Sequence, residues 1–153
     1  MSKAEVDLLA KIPCTLIPQG EVNLLVPNSA IQEVLKTDLL AADSNEAQTI
    51  IGKIRWNGQD LKIFSSNTKY NKANLTNKSA IIVVLKSPDT EQNMGFFASQ
   101  SPKSLRANQR SLSDDNSPTY INTYALRYVY IEGTAAIIPD LSRCFSQLNQ
   151  QVS

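Results

Sequence analysis

Apolar residues in this chain fall into short runs separated by Pro, Gly, Asn and Ser, the spacing of many short β-strands rather than of long helices. Residues 12–17 form a first run, interrupted by Pro13, that reads as an edge strand because proline cannot donate to a ladder. Pro18-Gln19-Gly20 turns the chain into a second strand at 21–26, which Pro27-Asn28-Ser29 breaks. Residues 30–35 fit a short strand or one helical turn equally well. The clearest element spans 49–64, two apolar-rich stretches joined by Asn57-Gly58 with the single tryptophan, Trp56, beside the turn. Asn-Gly between such stretches predicts a two-residue hairpin, because a type I′ turn needs positive φ at both central positions. Residues 79–85 are almost continuously apolar and rich in β-branched side chains, the mark of a strand buried on both faces. Strands at 93–99, around Leu105, at 120–129 and at 134–138 follow. After Pro139-Asp140, Leu141, Cys144, Phe145 and Leu148 recur at helical spacing and predict a short helix.

Between these runs, residues 41–48, 65–78 and 100–118 are polar and read as surface loops, the second of them long and mobile. The organisation is one domain over 12–148, or two small barrels sharing a core, with flexible termini at 1–11 and 149–153. Its fold class is all-β with a short C-terminal helix, of roughly nine or ten strands, a small barrel or sandwich. Fifteen basic against 14 acidic side chains leave a net charge of +1, no broad field for nucleic acid or an acidic membrane. Neither a leader nor an apolar run of about 20 residues is visible, so a cytoplasmic location without direct membrane insertion is expected. Cys14 and Cys144 read as buried thiols acting as small hydrophobes.

Little catalytic equipment is present. The absence of histidine removes the commonest general base and any Ser-His-Asp or Cys-His arrangement, and two lone cysteines make no metal site. Five widely separated glycines build no phosphate-cradling loop. Asp114-Asp115, in the most polar stretch, reads as a solvated acidic patch. The expectation is therefore no enzyme, no metal and no cofactor. Binding is the better class, and one form of it is a barrel for single-stranded nucleic acid. Tyr120, Tyr124, Tyr128 and Tyr130 lie at even intervals and would share one face of a regular strand beside Arg127, where they would either stack bases or pack on a neighbour.

The order of three motifs is more specific. Leu24-Leu25-Val26-Pro27 followed by Ile31-Gln32-Glu33-Val34-Leu35 resembles the apolar-Pro and V-x-E-V passage of the CheW family of chemotaxis coupling proteins. The segment from Gly52 through Arg55, Trp56, Asn57 and Gly58 is similar to that family's G-x-x-N-x-R-G turn, and Ala136-Ile137-Ile138-Pro139-Asp140-Leu141 to its closing strand and last helix. Asn57 stands where the family has arginine, Arg55 where it has asparagine, and Lys62 where it usually has proline. The Trp-x-Gly wording resembles accessory members of pilus chemosensory (twitching-motility) systems, such as ChpC and PilI. The resemblance implies two intertwined five-stranded SH3-like β-barrels around a shared core. It also implies a non-catalytic adaptor between the cytoplasmic signalling tip of methyl-accepting chemoreceptors and the regulatory domain of a CheA-type histidine kinase, recruited to membrane-associated receptor arrays.

On that reading, receptor contact falls on Ile31, Glu33, Val34 and Leu35 together with Arg55, Trp56, Asn57 and Gly58, an apolar groove with a polar rim for an amphipathic helix. Val34 and Leu35 fit core positions equally well, and Trp56 fits either side of its strand. Arg55 and Asn57 flank Trp56 and face away from it.

Overall fold

The computed structural model describes residues 13–43, 45–66, 79–105, 112–118 and 121–149. Residues 1–11 and 150–153 of the expected flexible termini, most of the 65–78 loop and Tyr120 lie outside the described residues. Eleven strands are described: β1 (Cys14–Gln19), β2 (Val22–Pro27), β3 (Ile31–Asp38), β4 (Ile50–Trp56), β5 (Gln59–Phe64), β6 (Ser79–Lys86), β7 (Asn93–Ala98), β8 (Lys103–Leu105), β9 (Leu112–Asp114), β10 (Ala125–Ile131) and β11 (Thr134–Pro139). A 3-10 turn, Asn28–Ala30, precedes β3, so the ambiguous segment contains a helical turn and then a strand. Helix α1 (Leu141–Ser146) ends in a 3-10 turn, Gln147–Asn149.

The strands form two curled sheets, ordered β8-β1-β2-β11-β10-β9 and β3-β6-β7-β5-β4, the two SH3-like barrels that the sequence leads one to expect. The first sheet has six strands because β9, set in a polar stretch with little apolar signal, pairs with β10 through Val129↔Asp114. β1 is not an edge strand, since β2 lies on one side and β8 on the other. Its pairing with β8 ends at Leu16, before Pro18, so the missing N–H costs no ladder bond there. The second barrel closes through an isolated bridge between Leu40 and Lys53, whose two N–H···O bonds measure 2.9 and 3.0 Å.

Three apolar clusters follow from this arrangement. Leu16, Leu25, Val129 and Ile131 pack inside the first barrel, and Ile51, Ile54, Ile63, Ile82 and Val84 inside the second. The third lies between the barrels: Ile17, Leu24, Val26 and Ile137 from the first sheet meet Phe64, Val83, Leu85 and Phe96 from the second. β6 is the dividing wall, with Val83 and Leu85 in the shared layer and Ile82 and Val84 in the barrel interior. Its alternate side chains point to opposite faces, and both faces are covered. Helix α1 adds Cys144 and Phe145 to the shared layer, and Asp140 caps it by accepting from the Arg143 N–H at 3.2 Å.

The joint between the barrels is also polar. Gln19, fully buried, donates from Nε2 to the Phe97 carbonyl at 2.9 Å, and its Oε1 accepts from the Ser66 N–H and hydroxyl. Ser99 N–H donates to the Pro18 carbonyl at 2.7 Å beside it. The 41–48 segment is not wholly a surface loop, because Glu46 and Ala47 are buried within it.

Two glycines carry distinct constraints. A Cβ on Gly52 would lie 2.5 Å from Leu39 Cγ and 2.7 Å from the Leu40 carbonyl oxygen, at the bridge that closes the barrel. Gly58 has φ of +76° with open space around it. Gly52→Ala is therefore expected to lose about 1–3 kcal/mol through overpacking against main chain. Gly58→Ala should lose only the ~1–2 kcal/mol of left-handed backbone. Urea unfolding of the two variants measures the difference.

Candidate functional site

The β3 side of the site is shaped by a bulge. Ile31 pairs with Leu85 but Glu33 pairs with Val84, so Gln32 is the extra residue. The insertion sets Ile31 and Val34 on the side of β3 that faces the shared layer, and turns Glu33 and Leu35 to the side of the second barrel's interior. Ile31 and Val34 then line a groove of about 310 Å³, whose opposite wall comes from Thr15, Pro102 and Ser104 of the first sheet's edge region, with Asn28 beside it. Thr15 Oγ1 donates to Asn28 Oδ1 at 2.6 Å, which fixes that wall. Val34 is 49% exposed, so it is a surface residue and not core. Leu35 is half-buried against the interior cluster and does not line the groove.

The hairpin has the expected turn, with φ of +50° at Asn57 and +76° at Gly58. Trp56 packs partly against the interior cluster of the second barrel, and its Nε1 donates to Glu33 Oε2 at 3.3 Å. This bond brings the two predicted segments together across 23 residues of chain. Arg55 faces out, and its guanidinium donates to Asp60 Oδ1 at 3.1 Å and to the Gly58 carbonyl at 2.9 Å. The Arg55–Asp60 pair is exposed, so it contributes orientation more than stability. Lys53 reaches the same Asp60 at 3.9 Å and Asp43 at 3.7 Å.

The predicted residues thus divide into a groove (Ile31, Val34), a hairpin tip (Arg55, Asn57, Gly58) and the Glu33–Trp56 link between them. Thr15, Pro102 and Ser104 escaped the sequence reading because β1–β8 pairing brings them to the groove, and Asn28 because the 3-10 turn before β3 sets it there. Asp60 could have been found, since it lies opposite Arg55 across a two-residue turn.

The aromatic platform for nucleic acid is not assembled. Tyr124 precedes β10 and stacks edge-on against Phe64 at 5.1 Å, inside the shared layer. β10 is irregular between Ala125 and Arg127, which breaks the even-interval face. The Tyr128 hydroxyl accepts from the Asn122 N–H and donates to the Asn122 carbonyl. Arg127 pairs with Asp114 at 3.1 Å, so Asp114 is part of a strand-end ion pair and not a free acidic patch. Among the described residues no group of His, Cys, Asp and Glu could hold a metal ion. Among them also, no helix is long and apolar enough to cross a membrane.

The matching family model is the CheW-like domain, over residues 14–149. The chain belongs to the CheW-like domain family. A solved structure, the scaffolding protein TtCheW from Thermoanaerobacter tengcongensis, shares the fold at 12% identity with a TM-score of 0.61, covering 86% of this chain and 90% of that one. No curated protein matches the chain in a sequence comparison.

Two features of this CheW-like chain generate predictions. Lys62, at the position of the family's usual proline, extends its ammonium to the buried Glu46 carboxylate at 2.7 Å and to the Leu148 carbonyl at 3.3 Å. It ties together the 41–48 segment, β5 and the end of the C-terminal helix. Lys62→Met is expected to cost about 1–3 kcal/mol, below a fully buried pair because the lysine is 36% exposed. Adding Glu46→Gln should recover part of the loss, and denaturant titration of both variants checks this.

The second feature is the pair of thiols, both buried. Burial, with Asp140 adding, pushes the Cys144 thiol up to about 12, and burial raises Cys14 as well. A native thiol that keeps its proton above the unfolded value makes unfolding release a proton in that interval. Stability should therefore hold below pH 9, where the unfolded thiol is protonated, and fall as pH rises towards 12. At pH 8 a thiol reagent should modify Cys144 only as fast as the chain opens, which a time course with and without urea measures.

Proposed function

We propose that this protein is a non-catalytic chemosensory adaptor. It joins the cytoplasmic signalling tip of methyl-accepting chemoreceptors to the regulatory domain of a CheA-type histidine kinase, in a chemotaxis or type IV pilus (twitching-motility) system. It works in the cytoplasm at receptor arrays and needs no cofactor. Membership of the CheW-like family supports the class. The observation that carries the site is the Glu33–Trp56 hydrogen bond, which ties β3, the strand that bears the groove residues, to the hairpin.

On this reading an amphipathic receptor helix lays its apolar face over Ile31 and Val34 and its polar flank along Glu33, Arg55 and Asn57. The apolar contact supplies affinity and the charged rim sets register. Asp60 and the Gly58 carbonyl hold the Arg55 guanidinium at the tip, so less freedom is lost when a partner carboxylate meets it. The kinase regulatory domain, of the same fold, docks on exposed barrel edges away from the groove.

Capture of a purified receptor signalling fragment tests the surface. The double variant Arg55→Glu with Asn57→Asp, and separately Val34→Asp, should each weaken capture by about tenfold or more with little change in urea midpoint. Unaltered capture in both variants would remove this surface from consideration. If the unmodified chain captures neither the receptor fragment nor the kinase regulatory domain, the adaptor reading itself fails.

A further inference from the structure

β5 and β7 run parallel but are in register only at Ile63↔Gly95 and Phe64↔Phe96. Continued towards the hairpin, that register would set Leu61 beside Asn93 and Gln59 beside Glu91. Pairing has stopped there, and a slot of about 560 Å³ separates the two walls, with Trp56 and Leu148 completing the lining. On its other side β5 pairs with β4, through Trp56↔Gln59 next to the turn and Ile54↔Leu61 beyond it. Residues flanking a two-residue turn exchange both hydrogen bonds, and such pairs alternate along the ladder. Gln59 and Leu61 therefore direct their main chain at β4, and Asp60 directs its N–H and C=O towards the slot. We propose that this slot accepts an extended, basic segment of a partner protein as an added β-strand.

An open strand edge is a template for main-chain pairing, which accounts for the extended conformation. The charge of the lining accounts for the basic character. Lys62, the cation among the lining residues, is neutralised by Glu46 at 2.7 Å. Asp60 and Glu91 are the other ionised groups of the lining, and both are carboxylates. Asp60 is paired with Arg55 at 3.1 Å and more loosely with Lys53 at 3.9 Å, and Glu91 with Lys86 at 3.3 Å; the Arg55 and Lys86 pairs are exposed. Exposed pairs of that kind exchange for a partner's cation at little cost. Trp56 adds an indole that favours Arg or Lys over neutral side chains. This surface is distinct from the β3 groove; it shares with the adaptor site proposed above Trp56 and Asp60, the residue that holds Arg55 there.

The single tryptophan makes the slot directly readable. The probe is an acetylated, amidated hexapeptide, Thr-Lys-Val-Lys-Thr-Lys, compared with its counterpart carrying Glu for Lys and with a version N-methylated at alternate residues. The basic peptide should give a saturable change in Trp56 emission and shift the amide resonances of Asp60 and Asn93. Glu91→Lys, at a side chain 92% exposed, should raise the half-saturation concentration by about fivefold or more without moving the urea midpoint. Receptor-fragment capture by the same variant should be normal, which separates this test from that of the adaptor surface. No saturable response, an equal response to the acidic peptide, or undiminished binding of the N-methylated one would overturn the proposal. So would a loss of receptor capture in Glu91→Lys, which would make the slot part of the adaptor surface.

Discussion

The structure depends on one apolar layer that belongs to neither barrel alone. Phe64 and Phe96 stack with centroids 5.0 Å apart, and Tyr124 meets Phe64 edge-on. Ile17, Leu24 and Ile137 close over them from the first sheet, and Cys144 and Phe145 from the helix. Each such side chain gains about 1.5–3 kcal/mol by leaving water. A small barrel of five or six strands has a limited interior and is marginal by itself, and sharing a layer gives each barrel a second buried face. That requirement explains why β6 must be apolar on both sides. It also explains why the Gln19 amide at the polar joint is hydrogen-bonded through both its nitrogen and its oxygen: an unmet amide in this layer would cost more than one packed methyl group returns.

The parts of the fold that were legible in the sequence are those with a local cause. Asn57-Gly58 sets its own turn, residues 79–85 announce a doubly buried strand, and Leu141, Cys144, Phe145 and Leu148 mark one helical face. Those that were not legible have tertiary causes. β9 exists because β10 offers an edge, and β1 is interior because three residues at Lys103–Leu105 return to cover it. The even spacing of the tyrosines fits stacking and packing alike, and the irregularity at Ala125/Arg127, which leaves no mark in side-chain chemistry, is not legible either.

The site shows the same division. The two motif segments are recognisable by order, whereas Asp60, which the hairpin register sets opposite Arg55, is absent from the sequence reading. What sequence could not show is the bulge at Gln32. A regular β3 would put Ile31, Glu33 and Leu35 on one face and Val34 on the other. The extra residue instead groups Ile31 with Val34 in the groove and leaves Glu33 to meet Trp56. Leu35, for which the sequence leaves surface and core equally open, packs inward. Bulges commonly re-aim side chains beside binding sites, and this one sorts apolar from polar contacts on a single strand.

The exchange at the hairpin can be followed to a physical consequence. The turn asks only for two residues tolerant of positive φ, and Asn57 with Gly58 meets that better than arginine would at the first position. Moving the cation to Arg55 takes it out of the turn and onto the exposed side of β4. It also moves it back along the strand and opposite Asp60, which a residue in the turn would not reach in the same way. The tip therefore keeps a positive charge but presents it pre-paired, on a guanidinium held by Asp60 and the Gly58 carbonyl. A partner carboxylate must compete with Asp60, which weakens any single acidic contact and favours a partner that also engages the groove. Under the adaptor reading, discrimination shifts from the turn arginine of the family pattern to the combination of Val34, Glu33 and a restrained Arg55. The barrels beneath are untouched by that change, because no side chain of the tip beyond Trp56 contributes to a core cluster.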